Sequence, residues 1–188
     1  EEGFSRFALS VNYRAEMIRA HFGDGSAWGV EIEYLQEDMP LGTAGSLGLL
    51  PKQPSGPFVV MNGDLLTGVN FGRLLESHTE AGALATMCVR EYTVRVPYGV
   101  VDVEDDRIQR LREKPAYREL VNAGIYVLEP EVLEIVRPRK HLDMTTLFDA
   151  LLARGEKVVA FAIREYWRDI GHSEDLNLAR EEFKEHFS

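Results

Sequence analysis

The chain has 188 residues, 45% hydrophobic and 28% charged, which is enough for one domain with a sizeable core and too short for two ordinary ones. Its 31 acidic residues against 21 Lys and Arg give a formal charge of −10, which argues against non-specific nucleic-acid binding, a task for a basic face. No apolar run reaches the roughly 18 residues of a transmembrane helix and no secretory pattern opens the chain. Cys88 is the single cysteine, sits in the apolar run ALATMCV, and reads as a buried structural thiol. A reducing cytoplasm is the expected setting.

Ser5 to Val11 predicts a strand, and Asn12 predicts the cap of a helix with an apolar face at Met17, Ile18 and Phe22. FGDGSAWG closes that helix, and Val30 to Leu35 alternates as a half-buried strand does. LGTAGSLGLL reads as a tight loop entering a helix. Phe58 to Met61 is a short continuous apolar run of the kind found in a central parallel strand, and it stops at Asn62-Gly63-Asp64. A helix follows over Phe71 to Glu80, capped by Asn70, and then a strand over Gly82 to Glu91. Tyr98 to Val103, Ile108 to Arg112 and Val121 to Leu128 are strands on short links, which makes them antiparallel or mixed additions to the sheet. Glu131 to Val136 and Thr145 to Arg154 predict helices, the second stopped by Gly155. Val158 to Ile163 is a last strand, and Ser173 to Phe187 a charged amphipathic helix. Alternating strands and helices without repeats or linkers describe a single α/β unit over residues 1–188.

Two carboxylates stand out by position. Asp64 follows an apolar strand, and ligands gather at the carboxyl ends of strands in open α/β sheets. Asp169 leaves another strand region in WRDIG. A turn or a local cap would explain either residue alone. Together they offer two hard oxygen ligands from separate strand ends, which suits Mg²⁺ completed by water and phosphate. Gly42-Thr43-Ala44-Gly45 has the small residues that let a backbone approach a base or a phosphate, although a plain helix start uses them too. Glu113-Lys114-Pro115 sets an acceptor beside a cation at a strand end. Asn122-Ala123-Gly124 interrupts an apolar strand, where Gly implies a close approach and Asn must find hydrogen bonds. The five histidines share no metal-ligand spacing with each other or with Cys88.

In their order along the chain, QEDMPLGTAGSL, VVMNGDLLT, VPYGVV, EKP, VNAGIYVLEPEVL, DMTTLFDALL and YWRDIGHSEDLNLA resemble the sugar-phosphate nucleotidyltransferase family over nearly the whole length. The resemblance is closest to its guanylyltransferase-like branch, which acts on mannose 1-phosphate or on nonulosonic acids and includes forms joined to CBS domains. It implies a Rossmann-like mixed sheet flanked by helices, of the nucleotide-diphospho-sugar transferase type. It implies transfer of a nucleoside monophosphate, GMP from GTP in this branch, to a sugar phosphate with release of pyrophosphate. Asp64 and Asp169 would hold Mg²⁺, and Lys114 would face the sugar's phosphate. Gln36, Gly42, Thr43, Asn62 and Gly63 would line the nucleotide, and Tyr98, Gly99, Glu113, Asn122 and Gly124 the sugar. Neither a nucleic acid nor a membrane is an expected partner, and assembly into a homo-oligomer is compatible with the family.

The chain departs from the family in one respect. The family's first strand and its Gly-rich, Arg-bearing loop, which wraps the triphosphate, have no counterpart before Ser5. The expectation is therefore an N-terminally incomplete domain with little turnover by itself. Two other readings compete: a non-catalytic relative that senses sugar nucleotides or serves as a structural subunit, and a nucleotide-sugar glycosyltransferase. Retention of both Asp64 and Asp169 counts against the first. The absence of an Asp-x-Asp pair at Asn62-Gly63-Asp64 counts against the second.

Overall fold

The computed structural model describes residues 3–171 together with Ala179, Glu182 and Phe183. Strand β1 (Arg6–Val11) leads into helix α1 (Ala15–Phe22) and then β2 (Glu31–Gln36), which lies parallel to β1 in register from Arg6↔Glu31 to Val11↔Gln36. A short helix α2 (Gly42–Gly45) continues as a 3-10 turn over Ser46–Leu49. Strands β3 (Phe58–Met61) and β4 (Leu65–Thr67) precede helix α3 (Phe71–Ala81). Four strands follow: β5 (Ala85–Arg95), β6 (Val100–Glu104), β7 (Arg107–Arg112) and β8 (Ala116–Leu128). A 3-10 turn at Pro130–Glu134, helix α4 (Met144–Ala153), β9 (Val158–Ala162) and β10 (Trp167–Asp169) complete the order.

The central sheet runs β3-β8-β5-β9, with β8 antiparallel to both β3 and β5 and with β9 parallel to β5. This mixed sheet with flanking helices agrees with the expected class. The assignment of Phe58 to Met61 as a central parallel strand does not hold. β3 stands at the edge of the four-stranded sheet and its partner β8 is antiparallel. An apolar run reports burial; it carries no information about a strand's direction or neighbours.

β8 explains where the core lies. Ala123, Ile125 and Val127 face one side, against Leu74 of α3, Cys88 and Ile163, while Tyr126 and Leu128 face the other, against Met144, Leu147 and Leu151 of α4. Both faces of its 123–128 half are covered, so that half is continuously apolar, while the 116–122 half, largely exposed, is not. Each large aliphatic side chain buried there stabilises the fold by about 1.5–3 kcal/mol of transfer free energy.

Two helix starts behave differently. Asn70 caps α3 as expected, its Oδ1 accepting from Arg73 N at 2.8 Å. Asn12 does not cap α1, which begins behind Arg14 in a left-handed conformation. Asn12 Nδ2 donates instead to the carbonyl of Glu37 at 2.8 Å and ties the end of β1 to the end of β2. A short polar side chain takes the nearest orphan backbone group, wherever the fold supplies it. The apolar face expected of α1 is also uncovered, with Met17 62% exposed and only Ala15 of the helix buried. The helix expected over Glu131 to Val136 is a 3-10 turn, and β4 is a short strand that no periodicity announces. The helix expected over Ser173 to Phe187 lies mostly outside the described residues; Ala179, Glu182 and Phe183 are helical.

Candidate active site

After β3 the backbone N–H of Asn62 donates to Gly124 O at 2.9 Å, and the chain turns through Gly63 and Asp64 into β4. β10 lies antiparallel to β4 with Asp169 opposite Leu65, and Ile170 N donates to Asp64 O at 2.8 Å. Two segments distant in sequence thus place Asp64 and Asp169 side by side. Gly171 gives the distances: a Cβ on it would lie 3.1 Å from Asp169 Oδ1 and 3.4 Å from Asp64 Oδ2. Both carboxylates face one small volume that the glycine leaves clear, and Asp169 Oδ1 also accepts from Gly171 N at 2.9 Å. Both residues are exposed. Among the described residues no group of three His, Cys, Asp or Glu gathers as metal ligands. Two converging carboxylates with open solvent around them fit Mg²⁺, which keeps several waters and takes its remaining oxygens from phosphate.

A bulge in β8 supports this turn from behind. The β5–β8 register shifts between Met87 and Val89, and Gly124 adopts φ 70°. Asn122 Oδ1 accepts from Gly124 N at 2.9 Å, and its Nδ2 donates to Tyr126 Oη at 2.7 Å. Burial pushes the Tyr126 phenol up, with the Asn122 hydrogen bond opposing it. A Cβ on Gly124 would stand 2.8 Å from Asn62 Nδ2 and 3.0 Å from Leu65 Cδ1, so the missing side chain is what seats Asn62. Trp167 Nε1 donates to Ala123 O at 2.8 Å and fastens β10 to the same bulge. Sequence reasoning missed that role for Trp167, although its place two residues before Asp169 was the available signal.

Of the sugar-side candidates, Tyr98, Gly99 and Glu113 lie at the base of the β6–β7 hairpin, while Asn122 and Gly124 lie in the β8 bulge. Val100 pairs with Arg112, which sets Gly99 beside Glu113; a Cβ on Gly99 would lie 3.4 Å from Glu113 Oε2. Lys114 has φ 42° and its Nζ is 3.9 Å from Glu113 Oε1, a loose, exposed pair that leaves both groups available to a ligand. Tyr98 is exposed. Arg112 holds the hairpin base, donating to Asp102 Oδ1 and to Tyr117 Oη, each at 2.8 Å. From this cluster β8 runs through to Gly124, whose carbonyl accepts from Asn62 N.

The third set has mixed employment. Gly42 has φ 76°, and a Cβ there would meet Asp143 Oδ1 at 2.6 Å and Leu142 O at 2.7 Å, so the segment before α4 already requires glycine. Thr43 Oγ1 accepts from Met144 N at 2.8 Å and caps α4. Gln36 ends β2; its amide donates to the carbonyls of Val11 and Glu37 and accepts from Arg19 Nη2 at 3.2 Å.

His78 and Cys88 belong to the core. His78 is fully buried between Thr86 Oγ1 at 2.7 Å and Glu129 Oε1 at 3.2 Å. Burial, with a smaller contribution from the charge of Glu165, pushes the Cys88 thiol up to about 12, as suits an inert structural cysteine.

A family model described as nucleotidyl transferase matches residues 1–186. The chain belongs to that family. Among similar nucleotidyl transferases, the mannose-1-phosphate guanylyltransferase of Mycobacterium tuberculosis is 34% identical over 180 residues, covering 93% of this chain and 50% of that protein. The chain spans about half the length of the curated relatives it matches. The crystal structure of HddC from Yersinia pseudotuberculosis superposes with a TM-score of 0.71 at 26% identity, covering 97% of this chain and 80% of that one. A second HddC structure, complexed with GMP-PN, gives a TM-score of 0.69 at 24% identity and so bears on the fold alone. These neighbours share the mixed α/β fold of nucleotide-diphospho-sugar transferases. Among the described residues no helix is long and apolar enough to cross a membrane.

Proposed function

We propose that this domain transfers GMP from GTP to a sugar 1-phosphate such as mannose 1-phosphate and releases pyrophosphate. The observation that carries the reading is the convergence of Asp64 and Asp169 above Gly171. The guanylyltransferase relatives support the choice of guanine and of a sugar phosphate. In the reaction an oxygen of the sugar phosphate attacks the α-phosphorus of GTP in line. The bond from that phosphorus to the bridging oxygen breaks, and pyrophosphate leaves with the electron pair.

The residues supply position and charge. Asp64 and Asp169 would hold Mg²⁺, which would supply the positive charge that offsets two phosphorylated substrates on a chain of formal charge −10. Lys114, paired only loosely with Glu113, would turn toward the incoming phosphate. Gly99 would offer its backbone, and Glu113 its carboxylate, to sugar hydroxyls. Asn122 and Gly124 seat Asn62 and so the turn that carries Asp64, and catalysis by position and charge leaves no demand for a covalent protein intermediate. Calorimetric titration of GTP and of mannose 1-phosphate tests the reading. GTP is expected to bind in Mg²⁺ and to lose at least about tenfold in affinity when EDTA removes the metal. Equal binding with and without Mg²⁺, or no binding of either substrate, counts against it.

A further inference from the structure

β9 closes the central sheet at one end, and among the described residues no strand pairs with its outer side. Leu84 N donates to Lys157 O at 2.8 Å and Ile163 N donates to Val89 O at 2.9 Å, so Lys157 and Ile163 aim these backbone groups at β5. Strand alternation aims those of Val159 and Phe161 the same way and leaves the N–H and C=O of Val158, Ala160 and Ala162 pointing outward. Sheet edges are ordinarily guarded by Lys, by Pro or by a bulge. Residues 158–163 hold no charge, no Pro and no Gly, and Ala160 and Ala162 are exposed. Beside the strand a groove of about 320 Å³ opens toward α4; its lining includes Met87, Phe148, Leu152 and Val158, and Leu152 is 60% exposed.

We propose that this edge pairs with β9 of a second copy of the chain, antiparallel about a two-fold axis at Ala160, so that two central sheets join into one. The outward groups set the register. The two Ala160 residues would exchange N–H···O=C bonds, and Val158 of each copy would do the same with Ala162 of the other. In that register Glu156 of each copy lies opposite Arg164 of the other, and both side chains are exposed. The flanks of the strand thus carry opposite charges at the positions that the symmetry brings together, which favours a second copy over an unrelated peptide. An axis normal to the sheet keeps α4 of both copies on one face, where the apolar groove and Leu152 of each copy meet those of the other and leave water. β3, at the other end of the sheet, has Pro57 at its start and no comparable pair of opposite charges on its flanks.

Sedimentation velocity of the full chain over a concentration series is the test, run without nucleotide and so independent of the transfer reading. A reversible dimer is expected. Glu156→Arg sets like charges opposite each other at two symmetric places, as does Arg164→Glu, and each is expected to weaken self-association at least about fivefold. The double variant restores opposite charges and is expected to recover the native dimer. Ala160→Pro deletes the central outward donor at an edge position and is expected to be monomeric. Glu156 and Arg164 are exposed, so unchanged unfolding midpoints are expected of the charge variants, which decide the matter even if Ala160→Pro does not fold. A monomer at every concentration, a dimer that the single substitutions leave intact, or a double variant no stronger than the single ones overturns the inference.

Discussion

Gly171 decides how much room lies between Asp64 and Asp169. A methyl group there would sit 3.1 Å from one carboxylate oxygen and 3.4 Å from the other, tighter than or at the edge of ordinary contact. Its φ is not in the left-handed region, so alanine is tolerated by the backbone and the crowding is confined to the carboxylates. Gly171→Ala is therefore expected to leave the unfolding midpoint nearly unchanged while weakening Mg²⁺-dependent GTP binding, as urea titration and calorimetry would show. A loss of stability matched by unchanged nucleotide affinity would mean that the cleared volume has no ligand. From sequence, Asp64 and Asp169 read as strand-end carboxylates that the family resemblance pairs as Mg²⁺ ligands, without the geometry that brings them together. Their proximity depends on β4 and β10, strands too short to show any period, and pairing between distant strands is a tertiary fact.

The bulge of β8 joins the core to the candidate site at the scale of an element. Gly124 in Asn122-Ala123-Gly124 is legible from sequence as a place where something approaches, and the structure names that neighbour as Asn62. Gly124→Ala would force a side chain into a left-handed position with a contact of 2.8 Å, and a loss of about 1–3 kcal/mol of stability is expected in urea unfolding. Because Asn62 must shift, nucleotide binding should weaken in the same variant. The cap of α3 was equally legible, since Asn70 and Arg73 are local to one turn. Asn12 was not, because the carbonyl it satisfies belongs to Glu37 on another strand. The helix signal at Met17, Ile18 and Phe22 gave the right element and the wrong environment: periodicity tells which side chains share a face, not whether anything covers it.

For the whole molecule, two apolar clusters on either side of the central sheet set the cooperativity of the fold, and Cys88 reports on one of them. Its thiol ordinarily ionises near 9.0 and in the folded chain is pushed up to about 12, so between these values the folded state holds a proton that the unfolded state has released. That contribution favours folding fully below pH of about 9 and is lost as pH rises toward 12. Cys88 should resist a thiol reagent at pH 8 in the native chain and react fully in urea. Fast labelling without denaturant would show that the α3 side of the sheet opens locally. The acidic balance is legible from composition, and under the proposed reading a cation held by Asp64 and Asp169 would let an anion bind there.

The central claim is that Asp64 and Asp169 share one Mg²⁺ at the nucleotide. A double-mutant cycle on GTP affinity in saturating Mg²⁺, with Asp64→Asn, Asp169→Asn and the combined variant, measures it directly. The account predicts that either single change costs most of the Mg²⁺-dependent affinity and that the second adds little, because the ion is already lost. Losses that simply add, or single variants that bind GTP as the native chain does, would contradict it.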